Sequence, residues 1–549
     1  MSRFVTTLLA TASRSTRGMV TGEPTAPVRR TWPEVHERAR RMAGALVAAG
    51  LRPGAAIGVL AGAPELIAPA AQAVWLAGGS VTMLHQPTPR TDLAMWSEDT
   101  VRVLNMIGAD VVLLGAPFDA LAPVLDQHGV RHLALDELLA GEPLAEPVPT
   151  GEDAVALLQL TSGSTAEPKA VTITHGNLYA NITSMIKAAQ LDTERDVMVS
   201  WLPLFHDMGM VGFMTLPMTV GVELVKITPV EFLASPLLWP GLISKYHGSI
   251  TAAPNFAYAI IARRMARADD GEFDLSTLRF ALNGAEPIDE AAEDAFVAAG
   301  ARFGMPRECV VAAYGMAEAT LAVSFAPLFT GLAVDHVDAE ALEERNLAVP
   351  AEDGAIRSFA LLGPPLPGLE VSVVDDSGRL LGEREVGELR VRGPAVTPRY
   401  LTVDGPRSTQ DDEGWLLTGD FGYLIGDQVV VCGRRKDVII MGGRNIYPTD
   451  IERAAMAVDG VRAGNAVAVR LDAGSVRERF AVVAESNRAG DLEAEKLLRK
   501  QIAAKVVDAV GLRPADVVIL PPGALPKTPS GKLRRAAAAV QVAESLAAD

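Results

Sequence analysis

Short apolar runs alternate with amphipathic segments along the first third of the chain, and this alternation limits the possible folds more than any other feature. Residues 31–50 read as a helix: Thr31 can cap it, Val35, Ala39, Met42 and Leu46 form one stripe, and Gly50 can close it. Strands are predicted at 56–60, 80–84, 111–114, 154–160 and 171–174, with helices at 64–77 and 178–189. In the last of these Leu178, Ile182, Met185 and Ile186 share a face. Repeated strand–helix units predict an α/β fold of layered subdomains with mixed or parallel sheets. The texture changes late. Strands at 429–432 and 438–441 flank the charged GRRKD of 433–437, and the turn Gly442-Gly443 follows. A helix from about Thr449, strands at 466–469 and 480–485, and a helix at 491–510 make a compact α+β unit. This predicts a large domain over 1–433 and a small, mobile C-terminal domain over 434–549, joined by an exposed hinge.

A chain of 549 residues is too long for one core. Its formal net charge of -17 argues against a nucleic-acid partner, which would call for a basic face. Cys309 and Cys432 have no metal-type spacing and form no disulfide framework, which fits a reducing cytoplasm. The apolar stretch 65–84 contains Pro69 and Gly78-Gly79 and reads as a buried helix and turn, so no stable membrane insertion is expected. The basic N-terminus has too short an apolar run for a signal peptide and reads as a leading helix.

The stretch LTSGSTAEPKA, residues 160–170, follows a strand end. Small residues at Thr161, Ser162, Gly163, Ser164 and Thr165 let backbone N–H groups converge on an anion, and hydroxyls add donors. Lys169 can supply a point charge. The spacing is not that of a Walker loop. Alone, the stretch could be a polar surface turn. Further stretches accompany it: NGAEP at 283–287, AYGMAE at 313–318, GELRVRG at 387–393, TGD at 418–420, GRRKDVIIMGGRNIYPTDIE at 433–452 and PKTPSGKLRR at 526–535.

Taken together and in this order, these stretches resemble the adenylate-forming superfamily of acyl-CoA synthetases, nonribosomal-peptide adenylation domains, luciferases and fatty-acyl-AMP ligases. The resemblance implies ATP and Mg²⁺ as cofactors. The loop from Thr161 to Lys169 would hold the β- and γ-phosphates. Asn283, Gly284, Ala285 and Glu286 would form an edge for adenine, with Tyr314 stacking on its face and Gly315 and Met316 beside it. Glu318 would be the Mg²⁺ ligand, a role that suits a hard carboxylate. Asp420 would accept both ribose hydroxyls, assisted by Arg434. Lys532 would bridge the substrate carboxylate and the α-phosphate, and Lys436 would be the hinge about which the C-terminal domain turns between half-reactions. Such a reaction joins two anions, so positioning and charge stabilisation dominate.

The chain departs from many relatives at Ala166 and Ala170, where glycine is common, and at Ala317, where a threonine hydroxyl usually meets the α-phosphate. Thr320 stands too far along to be assumed its substitute. The fatty-acyl-AMP ligase branch itself reads YGMAE. WLPLFHDMGMVGF, 201–213, resembles the WLPxxHDMG segment of that branch, where His206 would lie near the carboxylate or line the tunnel entrance; a merely structural histidine is the alternative. The interval from Gly315 to Gly363 is longer than in typical acyl-CoA synthetases. Its charged piece 332–357, read as irregular, would be the insertion of that branch or an ordinary surface loop. The expectation is a fatty-acyl-AMP ligase that activates a medium- or long-chain fatty acid and passes it to an acyl carrier protein. A fatty-acyl-CoA synthetase using CoA, or a catalytically idle sensor, are the alternatives.

Overall fold

The computed structural model describes the chain apart from residues 88–91, 162–166, 442–443, 474–477, 528–532 and 549, and apart from the side chains of 541 and 543–548. Ser162, Gly163, Ser164, Thr165 and Lys532 therefore lie outside the described residues.

The helices begin where their local chemistry allows. Thr31 caps the helix Trp32–Ala48: its hydroxyl accepts from Glu34 N at 3.3 Å, while Glu34 Oε2 accepts from Thr31 N at 2.7 Å. The expected stripe of Val35, Ala39, Met42 and Leu46 is buried. The helix Pro64–Leu76 is buried at all but Glu65. A helix apolar all round belongs in a core, and Trp75 Nε1 donates to Ala156 O at 2.8 Å to hold it against a sheet. Among the described residues no helix is long and apolar enough to cross a membrane.

The leading segment forms the helix Arg3–Arg14, which turns Phe4, Val5, Leu8 and Ala12 inward. Phe4 meets Trp75 edge-on, with ring centroids 5.0 Å apart. Ser2 Oγ lies 2.9 Å from His175 Nδ1. Burial pushes the His175 imidazole down to about 4 from 6.5. The unfolded chain then binds the proton more readily. The stability that neutral His175 supports is present above about pH 6.5 and is lost as pH falls towards 4. Between pH 7 and pH 5, wild type should lose about 2 kcal/mol more than His175→Gln in denaturant titrations; parallel losses would contradict this.

Two mixed eight-stranded sheets dominate the first part of the chain. One has the order Gly405–Ser408, Arg399–Thr402, Lys169–Thr174, Val155–Thr161, Ser80–Met83, Ala56–Leu60, Ala109–Leu114, His132–Ala134. The other runs Ala322–Phe325, Val310–Gly315, Phe280–Asn283, Ile250–Ala253, Val197–Ser200, Glu223–Lys226, Gly18–Thr21, Val28–Thr31. Both combine a run of parallel strands, as the strand–helix alternation predicts, with antiparallel pairs: the first at the side of Gly405–Ser408 only, the second at both margins.

By packing, the chain divides into two units. The first holds Met1–Ala333, Leu362–Val371 and Val391–Leu416, and the second Val334–Leu361, Ser372–Arg390 and Leu417–Asp549. Late in the chain the predicted α+β unit forms around the strands Val461–Leu471 and Arg479–Ser486, with a third strand, Asp516–Leu520, that the sequence reading passed over. Its core gathers Ile451, Phe480, Leu498, Ile502 and Val506.

One expectation needs correction. Residues 332–357 are not irregular. Val334–Asp338 pairs antiparallel with Ile356–Ala360, and Asp338 caps the helix Ala339–Arg345 between them. Its charges are not all solvated either. Arg357 and Glu343 are buried and paired with each other. Arg357 also lies 2.8 Å from Asp450, and Glu343 accepts from Arg444 Nε at 2.8 Å. Asn445 Nδ2 donates to Asn346 Oδ1 at 2.7 Å. The segment is thus clamped to residues 444–450. Removing one partner from such a buried pair would leave the other charge uncompensated.

Candidate active site

Open α/β sheets offer ligand sites beyond the carboxyl ends of their parallel strands. Phe280–Asn283 and Val310–Gly315 are parallel neighbours, with Asn283 opposite Ala312. NGAEP and AYGMAE therefore leave the sheet side by side. Gly284 is required there, since a Cβ would stand 2.9 Å from Ala313 O. Ala285 has φ +69°, which is strained for a residue with a side chain. Asn283 is fully buried, and its Nδ2 donates to Glu293 at 2.6 Å and to Asn255 Oδ1 at 3.2 Å. Burial pushes the Glu293 carboxyl up to about 7. Glu286 Oε1 accepts from Phe256 N at 2.6 Å. These side chains hold the frame, which leaves the main chain of 283–286 as the part that could serve the expected adenine edge. Tyr314 is mostly buried, with its hydroxyl 3.9 Å from the Met316 sulfur. Gly315 is exposed beside it.

Beyond these, Glu318 sits in the short turn Ala317–Ala319. Its Oε1 accepts from Tyr400 Oη at 2.7 Å and lies 3.6 Å from Lys169 Nζ. Lys169 in turn stands 4.1 Å over the Tyr400 ring. The arrangement follows from strand pairing, because Arg399–Thr402 runs antiparallel to Lys169–Thr174. Sequence reasoning missed Tyr400, for a lone tyrosine within a short strand carries no signal. Thr320 has φ +69° and donates its hydroxyl to Ala395 O at 2.7 Å, so that hydroxyl is committed to the fold. Thr161 ends its strand with Oγ1 buried and without a hydrogen-bond partner among the described residues.

In the second packing unit Asp420 and Arg434 stand opposite each other on paired strands, and Arg434 Nε lies 3.2 Å from Asp420 Oδ1. Asp420 is 4% exposed. Lys436 is exposed two residues on, and its carbonyl accepts from Arg470 Nη1 at 3.2 Å.

His206 and Asp207 open a wide π-helical turn, Met208–Thr215, whose residues are all buried. Asp207 Oδ1 accepts from Met208 N at 2.7 Å and lies 2.6 Å from His206 Nδ1. One carboxylate caps the turn and orients the imidazole.

The residues present fit both expected groups. The buried hydroxyl of Thr161, without a partner among the described residues, and the cation at Lys169 suit a polyphosphate. Among the described residues no three His, Cys, Asp or Glu side chains gather as a metal cage. A single carboxylate at Glu318 suits Mg²⁺, which keeps waters and takes its other oxygens from phosphate.

Comparison with known proteins bears on this arrangement. Residues 13–401 match the family model of AMP-binding enzymes. The chain belongs to the AMP-binding enzyme family. Rv1013 of Mycobacterium tuberculosis (strain ATCC 25618 / H37Rv), which carries only a provisional ligase assignment, is 57% identical over 538 residues, 98% of this chain and 99% of that protein. JamA of Moorena producens (strain JHB), a medium-chain-fatty-acid–[acyl-carrier-protein] ligase, is 35% identical over 407 residues, 71% of this chain and 68% of its own. A solved structure from a study of fatty acyl-adenylate ligases of E. coli and L. pneumophila superposes with a TM-score of 0.88 at 30% identity, covering 99% of this chain and 98% of that one. The resemblance read from the motifs is borne out, as is the layered α/β fold with a large N-terminal and a smaller C-terminal domain. The enzyme is an ATP-dependent adenylate-forming ligase by family.

Tyr400→Phe should keep the ring beneath Lys169 and lose the hydrogen bond to Glu318. A hydrogen bond to a charged group is worth about 1.5–3 kcal/mol, so kcat/KM for MgATP should fall at least about tenfold. Unchanged kinetics would separate Tyr400 from the nucleotide site.

Proposed function

We propose that the enzyme is a fatty-acyl-AMP ligase. It activates a medium- or long-chain fatty acid with MgATP, releases pyrophosphate, and transfers the acyl group to the phosphopantetheine thiol of an acyl carrier protein. The observation that carries this reading is the His206–Asp207 pair, 2.6 Å apart, in an apolar stretch of chain whose Leu202, Leu204, Phe205, Met208 and Met210 are all buried. Relatives that activate amino acids use an aspartate near this point to pair with the substrate ammonium. Here Asp207 is occupied with the imidazole and the turn, and the apolar residues suit an acyl tail.

Each group has a role in the reaction. The carboxylate oxygen of the fatty acid attacks the α-phosphorus, and the bond to the pyrophosphate oxygen breaks. His206 lies near the carboxylate, or lines the tunnel entrance to it. Lys169 and Thr161 hold the departing phosphates, with Ser162, Gly163, Ser164 and Thr165 between them. Glu318 would hold Mg²⁺, which when bound would neutralise phosphate charge. Main chain at 283–286 borders the adenine, beside Tyr314, Gly315 and Met316, while Asp420 and Arg434 take the ribose. Lys532 bridges carboxylate and α-phosphate, and Lys436 is the hinge of a domain that begins at 434. Neither nucleic acid nor stable membrane insertion enters this scheme. The chemistry is that of a cytoplasmic enzyme.

The similarity to JamA supports a carrier protein as acceptor. A panel of fatty acids, each assayed with free CoA and with holo acyl carrier protein, tests the reading. Transfer to the carrier with little acyl-CoA is the expected result. Efficient acyl-CoA formation would make the enzyme a fatty-acyl-CoA synthetase. No adenylate with any fatty acid would leave an idle sensor.

A further inference from the structure

Lys226 is 1% exposed at the end of the strand Glu223–Lys226, and it carries none of the roles above. Desolvating an ammonium is costly unless oxygens replace its water. Burial pushes its amine down to about 7. Three oxygens surround it. Nζ donates to Leu202 O, to Ile227 O at 3.3 Å and to Ser200 Oγ at 3.5 Å. The position follows from sheet register, since Lys226 is the parallel partner of Ser200, where the segment 201–207 leaves its strand.

The same segment is held from the other sheet. Gln159 is 5% exposed on the strand Val155–Thr161, two residues before Thr161. Its Nε2 donates to Phe205 O at 2.9 Å and to Leu160 O at 3.1 Å. Buried carbonyls of an irregular segment must find donors somewhere. A neutral side chain would satisfy Leu202 O as well, so a buried lysine is more than that need requires. Trp201, at the start of the segment, stacks on Phe232 with centroids 4.1 Å apart. The segment is therefore fixed by an aromatic stack at its start, an ammonium at Leu202 and an amide at Phe205, immediately before His206.

We infer that Lys226 and Gln159 are positioning residues of the acyl site: acting from two different sheets, they fix the carbonyls of 202 and 205 and so set where His206 stands relative to the strand that enters the phosphate loop. The inference rests on the acyl-site reading of 201–213. Its consequence is a division of labour. The polar contacts of both residues go to the protein itself, so their loss should disturb use of the fatty acid and leave use of ATP alone.

The test is fatty-acid-dependent ATP–pyrophosphate exchange on the full chain, with decanoate and palmitate as probes. Wild type comes first, because no dependence on either acid defeats the acyl-site reading itself, whatever the variants do. Lys226→Met keeps the stem and removes all donors; Gln159→Met does the same for the amide. Each should raise KM for the fatty acid by about tenfold, the worth of one good hydrogen bond to a charged or buried group, with KM for ATP within twofold. Lys226→Gln restores one amide donor and should recover part of the loss. If Lys226→Met fails to fold, Lys226→Gln and Gln159→Met carry the test. Placed in a His206→Ala background, Gln159→Met should cost little more, because its effect runs through that imidazole. Full additivity with His206→Ala, or equal rises in both KM values, would overturn the inference and leave the two residues as ordinary core donors.

Discussion

Lys532→Ala is expected to lose most adenylation. Removing one group that stabilises developing charge costs on the order of 10²–10³ in rate, about 2.7–4 kcal/mol. Lys532 is outside the described residues, but the chain on either side of it is firmly held. Glu485, fully buried, accepts from Leu525 N at 2.9 Å and pairs with Arg462. On the C-terminal side, Arg535 donates to both oxygens of Glu452, at 2.8 and 2.9 Å, and lies 3.3 Å from Asp437. If the C-terminal domain turns about Lys436 between half-reactions, transfer from supplied acyl-AMP should survive the substitution far better than adenylation. Equal losses in both half-reactions would count against the rotation.

The second large effect concerns the acceptor. Residues 334–361 come before the proposed hinge, and residues 444–450 come after it. Glu343 and Arg357 on one side meet Arg444 and Asp450 on the other. A clamp across a hinge biases it. A bias of about 3 kcal/mol against the orientation that forms a thioester with free CoA would cut its population more than a hundredfold. Breaking one side of a buried ion pair costs about 3–5 kcal/mol, enough to remove such a bias. Glu343→Gln, or a shortened 332–357 that leaves Tyr314–Glu318 and Gly363–Gly368 in place, should therefore raise acyl-CoA output by at least tenfold without raising adenylation. Rates with CoA and with ATP–pyrophosphate exchange, measured on the same preparation, check this. Wild-type enzyme that already makes acyl-CoA as fast as adenylate would defeat it.

What could be read from the sequence was mostly local. Thr31 and Glu34 announce a helix start because both partners lie within one turn. The buried character of Pro64–Leu76 is written in its composition. The order of the motifs was enough to give the family, and sheet register explains why 283–287 and 313–318 end up adjacent. Contacts between distant segments were not legible. Nothing near Tyr400 says that it will reach Glu318, and Lys226 and Gln159 look like ordinary strand residues until two sheets bring the 201–207 segment to them. The segment 332–357 was misread for a related reason. Its many charges suggested solvent, whereas Arg357 and Glu343 pair out of water with residues about a hundred positions away. Alternation in Val334–Asp338 is half polar, and a two-stranded sheet of that kind is held by its setting more than by its own pattern.

The central claim is that this chain forms a fatty-acyl adenylate. The most direct test is ATP–pyrophosphate exchange with the purified full chain, scanned over fatty acids from short to long in the presence of Mg²⁺. Exchange that depends on a medium- or long-chain acid, and that falls by at least about a hundredfold in Lys532→Ala, is the predicted result. Folded protein that shows no exchange with any fatty acid, or exchange that amino acids support better than fatty acids do, would contradict it.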